Sequence, residues 1–148
     1  MRRRYTLAAV ALAFAGCGGG SGEGLDENGR PLAPGAGSGP TPLAPTLASI
    51  QANVFSVNCA ISGCHGGGAV QQGLRLDAGF SAANLINVSS PRNAGLIRVV
   101  PRDPDRSFLI QKLEGTQTLG DRMPQFGPYL SQATIDVMRL WIQNGAPP

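Results

Sequence analysis

The chain has 148 residues, of which 14% are charged and 33 are Gly or Pro. This length suits one domain and argues against an enzyme with separate cofactor and substrate domains. The formal net charge of +3 does not indicate a nucleic-acid partner, because Arg2, Arg3 and Arg4 supply all of it and the remaining basic residues form no run.

Residues 1–16 have the pattern of a secretory signal peptide. The basic start Arg2–Arg4 is followed by the apolar run Leu7–Phe14 and then by small residues. The apolar stretch Thr6–Gly16 is much shorter than the ~20 residues of a membrane-spanning helix. We therefore predict that the protein is exported.

The residues before Cys17 resemble the lipobox of bacterial lipoproteins, whose Cys is acylated and begins the mature chain. We predict lipidation at Cys17, with an unmodified thiol as the alternative. Acylation would leave Cys59 and Cys64 as a pair and so account for all three cysteines. The resemblance implies anchoring at the periplasmic face of a bacterial membrane, and Gly18 in place of Asp favours the outer membrane.

Residues 17–44 are predicted to be the lipidated Cys followed by a flexible tether. They are rich in Gly, Ser, Pro and Ala and contain almost no large apolar residue, so they bury too little surface to offset the entropy of ordering. A coil of ~26 residues has a root-mean-square span of about 28 Å. Residues 45–148 are then the folded domain.

The folded domain is predicted to be all-α, with about four short helices. The first helix leads to Cys59, because apolar residues recur at helical spacing: Leu47, Ile50, Val54 and Val57. A second is expected over Ala82–Val88, and the only strand-like run is Leu96–Val100.

The third and fourth predicted helices carry capping signals. Asp103 is expected to cap a helix over Pro104–Glu114, which Gly115 closes. Ser131 is expected to cap the last helix, which Gly145 ends. The apolar face of that helix is formed by Ile135, Met138, Trp141 and Ile142.

The segment Cys59-Ala-Ile-Ser-Gly-Cys64-His65 resembles the haem-attachment motif of c-type cytochromes, C-x-x-C-H, with four residues between the cysteines instead of two. In that motif the two thiols bond to the haem vinyl groups and the histidine binds iron. The resemblance implies one covalent haem c, held by Cys59 and Cys64, with His65 as proximal ligand. His65 is the only histidine, so bis-histidine ligation within the chain is excluded.

Three other interpretations of this segment compete with haem attachment. A Cys59–Cys64 disulfide is possible in an exported domain. Zinc would need a fourth ligand, and none stands at a familiar spacing. A catalytic pair of Cys64 and His65 is disfavoured because adjacent residues rarely form such a dyad.

Met123 lies in the segment Gly120–Gly127, which resembles the ligand-methionine loop of single-haem cytochromes c. The resemblance makes Met123 the distal iron ligand; the alternative is a methionine that packs beneath a turn. Arg75 and Arg98 are each expected either to pair with haem propionates or to lie on the solvated surface. A carbonyl near Pro101 is the expected partner of the second ring nitrogen of His65.

The resemblance covers roughly residues 47–146, and the phrases that carry it are similar to a group of small bacterial lipoprotein cytochromes. Those phrases are Gly73-Leu-Arg-Leu, Pro104-Asp-Arg-Ser-Phe-Leu, Lys112-Leu-Glu-Gly, Arg122-Met-Pro and Trp141-Ile-Gln-Asn-Gly-Ala. It implies a cytochrome c-like fold and a membrane-tethered carrier of single electrons between redox proteins, not an enzyme. The alternatives are a haem with an open sixth position for peroxide or gas chemistry, and a haem-free structural lipoprotein.

Overall fold

The computed structural model describes residues 42–148, which form the unit Pro42–Pro148. The predicted signal peptide (1–16), Cys17 and most of the predicted tether (17–44) lie outside the described residues. Over residues 42–148, no helix combines the length and the apolar character needed to cross a membrane.

The first predicted helix forms, but most of it is a π-helix. Helix α1 spans Leu47–Ile50, and a π-helix continues it over Gln51–Cys59. Each i to i+5 bond encloses one residue more than the i to i+4 bond of an α-helix, so each turn holds more residues. The apolar face therefore shifts: Val54 and Phe55 are buried, whereas Val57 is 62% exposed. The predicted placement of Val57 on the apolar face is wrong for this reason.

The predicted all-α class is wrong, because a two-stranded antiparallel sheet lies between two of the helices. Strand β1 (Ser89–Ser90) pairs with β2 (Asn93–Ile97), with Ser89 opposite Ile97. A two-residue strand cannot show alternation, and the first three residues of β2 are all exposed, so neither strand produces the period-2 pattern. The fold is therefore mixed, with helices and one small sheet.

The second predicted helix is shorter than expected. Helix α2 spans Ser81–Leu85, whereas the sequence pattern predicted Ala82–Val88. Ile86 has extended backbone angles and forms an isolated parallel bridge with Val99. Pairing with Val99, two residues beyond β2, thus takes over where the helix stops.

The third helix begins later than its capping signals suggest. Helix α3 spans Phe108–Glu114 and is closed by Gly115 at φ +83°, as predicted. Asp103 caps a separate turn, in which its carboxylate accepts a hydrogen bond of 3.0 Å from the amide of Arg106. The predicted start at Pro104 is wrong because this turn precedes the helix.

The last helix matches its prediction closely. Helix α4 spans Gln132–Gln143, and the Ser131 hydroxyl accepts a hydrogen bond of 3.2 Å from the amide of Thr134. The predicted apolar face is buried, with every member at most 1% exposed: Ile135, Met138, Trp141 and Ile142. Gly145 follows the helix at φ +98°.

The core collects buried residues from the π-helix, α3, α4 and the segments between them. Arg139 on α4 forms ion pairs with Glu114, at 3.0 Å, and with Asp105. Two half-buried side chains that carry the candidate chemistry, Cys59 and Met123, pack against this core. The core therefore supports both segments of the candidate site.

Candidate functional site

The segment from Cys59 to His65 forms a closed turn at the end of the π-helix. The amide of His65 donates a hydrogen bond of 3.1 Å to the carbonyl of Cys59, and the amide of Cys64 donates one of 2.9 Å to Ile61. The amide of Gly66 donates to the same Ile61 carbonyl at 3.2 Å. These bonds hold the four-residue spacer in a turn that returns the backbone of His65 to Cys59.

Two glycines permit this turn. Gly63 has φ +81°, in the left-handed region that other residues rarely adopt. Gly66 packs against the backbone of Ala60, where an added Cβ would lie 2.2 Å from the carbonyl oxygen. Gly66 therefore allows a close backbone contact that no other residue type would fit.

The two cysteines of the turn are both free thiols in different surroundings. Cys64 is exposed, and Cys59 packs against the core. Burial, together with the nearby Cys64, raises the pKa of Cys59 to about 12. Cys59 is therefore a protonated thiol at neutral pH, and its thiolate is scarcely available as a nucleophile.

The imidazole of His65 is held by a backbone carbonyl. Its Nδ1 lies 3.2 Å from the carbonyl oxygen of Leu74. A carbonyl only accepts hydrogen bonds, so this contact places the proton on Nδ1 and leaves a lone pair on Nε2. The expected acceptor near Pro101 is wrong, because the chain returns to the ring much sooner, at Leu74.

Burial lowers the pKa of His65, and the charge of Arg98 lowers it further. The hydrogen bond to the Leu74 carbonyl and the proximity of the Gln71 carbonyl oppose this shift without cancelling it. His65 is therefore a neutral imidazole at neutral pH. A neutral ring with a free Nε2 is the form that binds metals.

The carbonyl that meets His65 is presented by a short 3₁₀ turn over Gln71–Gly73. The amide of Gln71 donates a hydrogen bond of 2.7 Å to Cys64, and the amide of Leu76 donates one of 2.7 Å to His65. Backbone hydrogen bonds at Gln71 and Leu76 therefore connect the segment around this turn to Cys64 and His65.

Arg98 is buried, so the expectation that it lies on the solvated surface is wrong. Its guanidinium donates hydrogen bonds of 2.8 Å to the carbonyls of Asn84 and Gln72. A charged residue inside the apolar run Leu96–Val100 was the sequence signal for this role. Arg75 forms an ion pair with Asp77, with 2.7 Å between Nε and Oδ2.

Met123 lies in the loop between α3 and α4, and its thioether is half-buried against the core. Its amide donates a hydrogen bond of 2.9 Å to the carbonyl of Lys112. The Lys112 ammonium donates to the carbonyls of Leu119, at 2.6 Å, and Asp121, at 2.9 Å. Sequence reasoning did not identify Lys112, whose role depends on contacts with a loop that begins after α3 ends.

Exposed apolar side chains lie on both candidate segments. Val57 and Ile61 flank Cys59 and are 62% and 50% exposed. Near Met123, a cleft of about 350 Å³ is lined by Asp121, Arg122, Gln125, Phe126 and Tyr129. Phe126 is 95% exposed and the Arg122 guanidinium lies 4.1 Å from the centre of the Tyr129 ring. Both segments thus expose apolar side chains.

Within residues 42–148, no three His, Cys, Asp or Glu side chains converge as a site for a metal ion. A structural zinc site needs four such ligands. Thioether attachment of haem does not need this convergence, since the sulfur atoms bond to carbon and only the histidine binds iron.

Comparisons of the chain with protein-family models, with curated proteins and with solved structures found no match. The function proposed below therefore rests on the sequence motif and on the geometry of the site.

Proposed function

We propose that the protein is a c-type cytochrome that carries single electrons, with haem bonded to Cys59 and Cys64 and ligated by His65. The observation that carries this proposal is the closed turn from Cys59 to His65. It holds two free thiols and, at its end, a neutral imidazole whose Nε2 is unprotonated.

The donor set fits haem attachment chemically. Each S–H adds across a vinyl C=C bond, so that a carbon–sulfur bond forms and the hydrogen goes to the neighbouring carbon without an oxidant. The exposed Cys64 is accessible for this addition, and Val57 and Ile61 supply apolar contacts beside the cysteines. A large planar cofactor requires apolar contacts of this kind.

When bound, haem supplies the one-electron chemistry of iron. His65 would bind iron through Nε2, and the Leu74 carbonyl would fix the ring orientation and increase the basicity of the ligand. Met123 is the proposed sixth ligand. If His65 and Met123 both bound the iron, no coordination site would remain for a substrate, which favours an electron carrier over an enzyme.

We also propose that this domain is exported and anchored to the periplasmic face of a bacterial membrane through a lipid on Cys17, where it exchanges electrons with redox proteins. The signal-peptide and lipobox patterns of residues 1–17 support this location. The unsubstituted chain should incorporate a labelled fatty acid during expression, whereas Cys17→Ser should incorporate none. Incorporation of the labelled fatty acid into Cys17→Ser would contradict lipidation at Cys17.

The haem proposal is tested with the full chain, expressed in a bacterium whose cytochrome c maturation system accepts long spacers between the cysteines. Visible spectra are recorded before and after acid extraction of non-covalent haem. The expected result is a red protein with a thioether-type reduced spectrum that survives extraction. Cys59→Ser/Cys64→Ser should lose the colour on extraction, whereas the matched control Cys17→Ser should keep it.

A colourless protein with a Cys59–Cys64 disulfide would overturn the cytochrome proposal. A haem-free structural lipoprotein would then be the better interpretation. Haem that is lost on acid extraction would contradict covalent attachment through the two cysteines.

A further inference from the structure

Arg98 is a buried cation with no acidic partner among the residues that the structure describes. It is 8% exposed, and the carboxylates of residues 42–148 all lie beyond ion-pair distance from it. A buried charge is costly unless its donors are satisfied. Arg98 meets this requirement with two backbone carbonyls, those of Asn84 and Gln72.

The Gln72 carbonyl belongs to the 3₁₀ turn over Gln71–Gly73, which is followed directly by the residue that contacts the His65 ring. Gln72 and Gly73 both have left-handed angles, at φ +56° and +59°. For a residue with a side chain this conformation costs roughly 1–2 kcal/mol, so the turn needs support from outside itself. The next residue, Leu74, provides the carbonyl that meets Nδ1 of His65.

Arg98 is itself held at a fixed place. Its amide donates a hydrogen bond of 2.8 Å to the carbonyl of Val88, and its carbonyl accepts one of 2.9 Å from the amide of Leu109. The residue therefore joins the segments around the sheet and α3 to the Gln72–Gly73 turn. These backbone hydrogen bonds fix the position from which the guanidinium extends.

We infer that Arg98 is a positioning residue for His65: by bonding the Gln72 carbonyl it fixes the turn, and thereby the Leu74 carbonyl that orients the imidazole. As a statement about an iron ligand this inference rests on the proposed function. The role of Arg98 in orienting the imidazole ring does not depend on the proposed function, because the contacts that support this role lie within the polypeptide.

The test uses the Nδ1–H proton of His65, which gives a single signal because the chain has one histidine. Full-length protein labelled with ¹⁵N-histidine is studied by NMR under reducing conditions, and the exchange of this proton with solvent is measured. Arg98→Lys keeps the charge but replaces the guanidinium, which donates to two carbonyls, by an ammonium group. Arg92→Lys, on an exposed residue between β1 and β2, is the control.

In Arg98→Lys, the Nδ1–H proton of His65 should exchange with solvent at least about tenfold faster than in the wild-type protein, while the amides of α4 keep their protection. Arg98→Gln, which retains fewer donors, is the second variant if Arg98→Lys does not fold, with the same expectation. Unchanged exchange would overturn the inference, as would a parallel loss of protection throughout α4. Absence of acid-stable colour would instead count against the haem proposal alone.

Discussion

The amide of Met123 donates a hydrogen bond of 2.9 Å to the carbonyl of Lys112, which ties the candidate ligand loop to α3. Lys112 reinforces this tie through its side chain, since the ammonium bonds two carbonyls of the same loop. One residue of α3 thus restrains the loop on both sides of Asp121. The half-buried thioether of Met123 is held in place by the helix as well as by the core.

Replacing Met123 by Ala should abolish the weak far-red band of sulfur–iron ligation in the oxidised protein. The reduction potential should fall by on the order of 100 mV, because a thioether ligand favours ferrous iron. Met138→Leu is the matched control, since Met138 is fully buried in the core and should leave both quantities unchanged. An unaltered spectrum and potential in Met123→Ala would favour an open sixth position.

Replacing Lys112 by Met should loosen the loop from Leu119 to Met123. The loss of two hydrogen bonds from a charged group should lower the free energy of unfolding by about 1–3 kcal/mol. Urea denaturation measures this change, and amide exchange should show faster exchange at the Met123 amide. Arg106→Met is the control, because that side chain is 79% exposed and should change stability by less than about 0.5 kcal/mol. Equal stabilities of the two variants would contradict the role of Lys112.

Replacing Gly66 by Ala should destabilise the protein by about 1–3 kcal/mol, because the new methyl group would overlap the Ala60 carbonyl. The yield of protein with covalent haem should also fall, since the turn from Cys59 to His65 opens. Gly68→Ala is the control, since an added Cβ there meets no atom within 4 Å. Similar thermal unfolding of the two variants would show that the turn is not closely packed at Gly66.

In protein produced without haem, iodoacetamide at pH 8 should alkylate Cys64 before Cys59. The reason is that Cys64 is exposed, whereas burial raises the pKa of Cys59 to about 12 and suppresses its thiolate. The rate at Cys59, followed by peptide mass spectrometry, should be at least about tenfold lower. Urea should remove the difference; equal rates in the native protein would contradict the burial of Cys59.

The stability of the haem-free protein should fall on acidification. His65 has a lowered pKa in the folded chain, so the unfolded chain binds a proton first as the pH falls past 6.5. The stabilisation is therefore complete above pH 6.5 and is lost as the pH decreases toward the folded value. Denaturation in urea at a series of pH values measures this slope, and His65→Gln should reduce it. An unchanged slope in His65→Gln would assign the effect to other groups.

The elements with strong local signals were predictable from the sequence, and those defined by distant contacts were not. The cap Ser131 and the apolar face of α4 depend only on residues of one helix. Capping preference predicted the first correctly, and periodicity predicted the second. The hairpin was missed because its first strand has two residues. The partner of His65 was missed because the 71–73 turn depends on Arg98, which is distant in sequence.

The π-helix over Gln51–Cys59 has a consequence for the length of the chain. Because each i to i+5 bond encloses one residue more than an i to i+4 bond, we expect that removal of an exposed residue such as Val57 would let the neighbouring bonds return to the α-helical pattern. The length before Cys59 can therefore vary by one residue, whereas the hydrogen bond between Cys59 and His65 fixes the length after it.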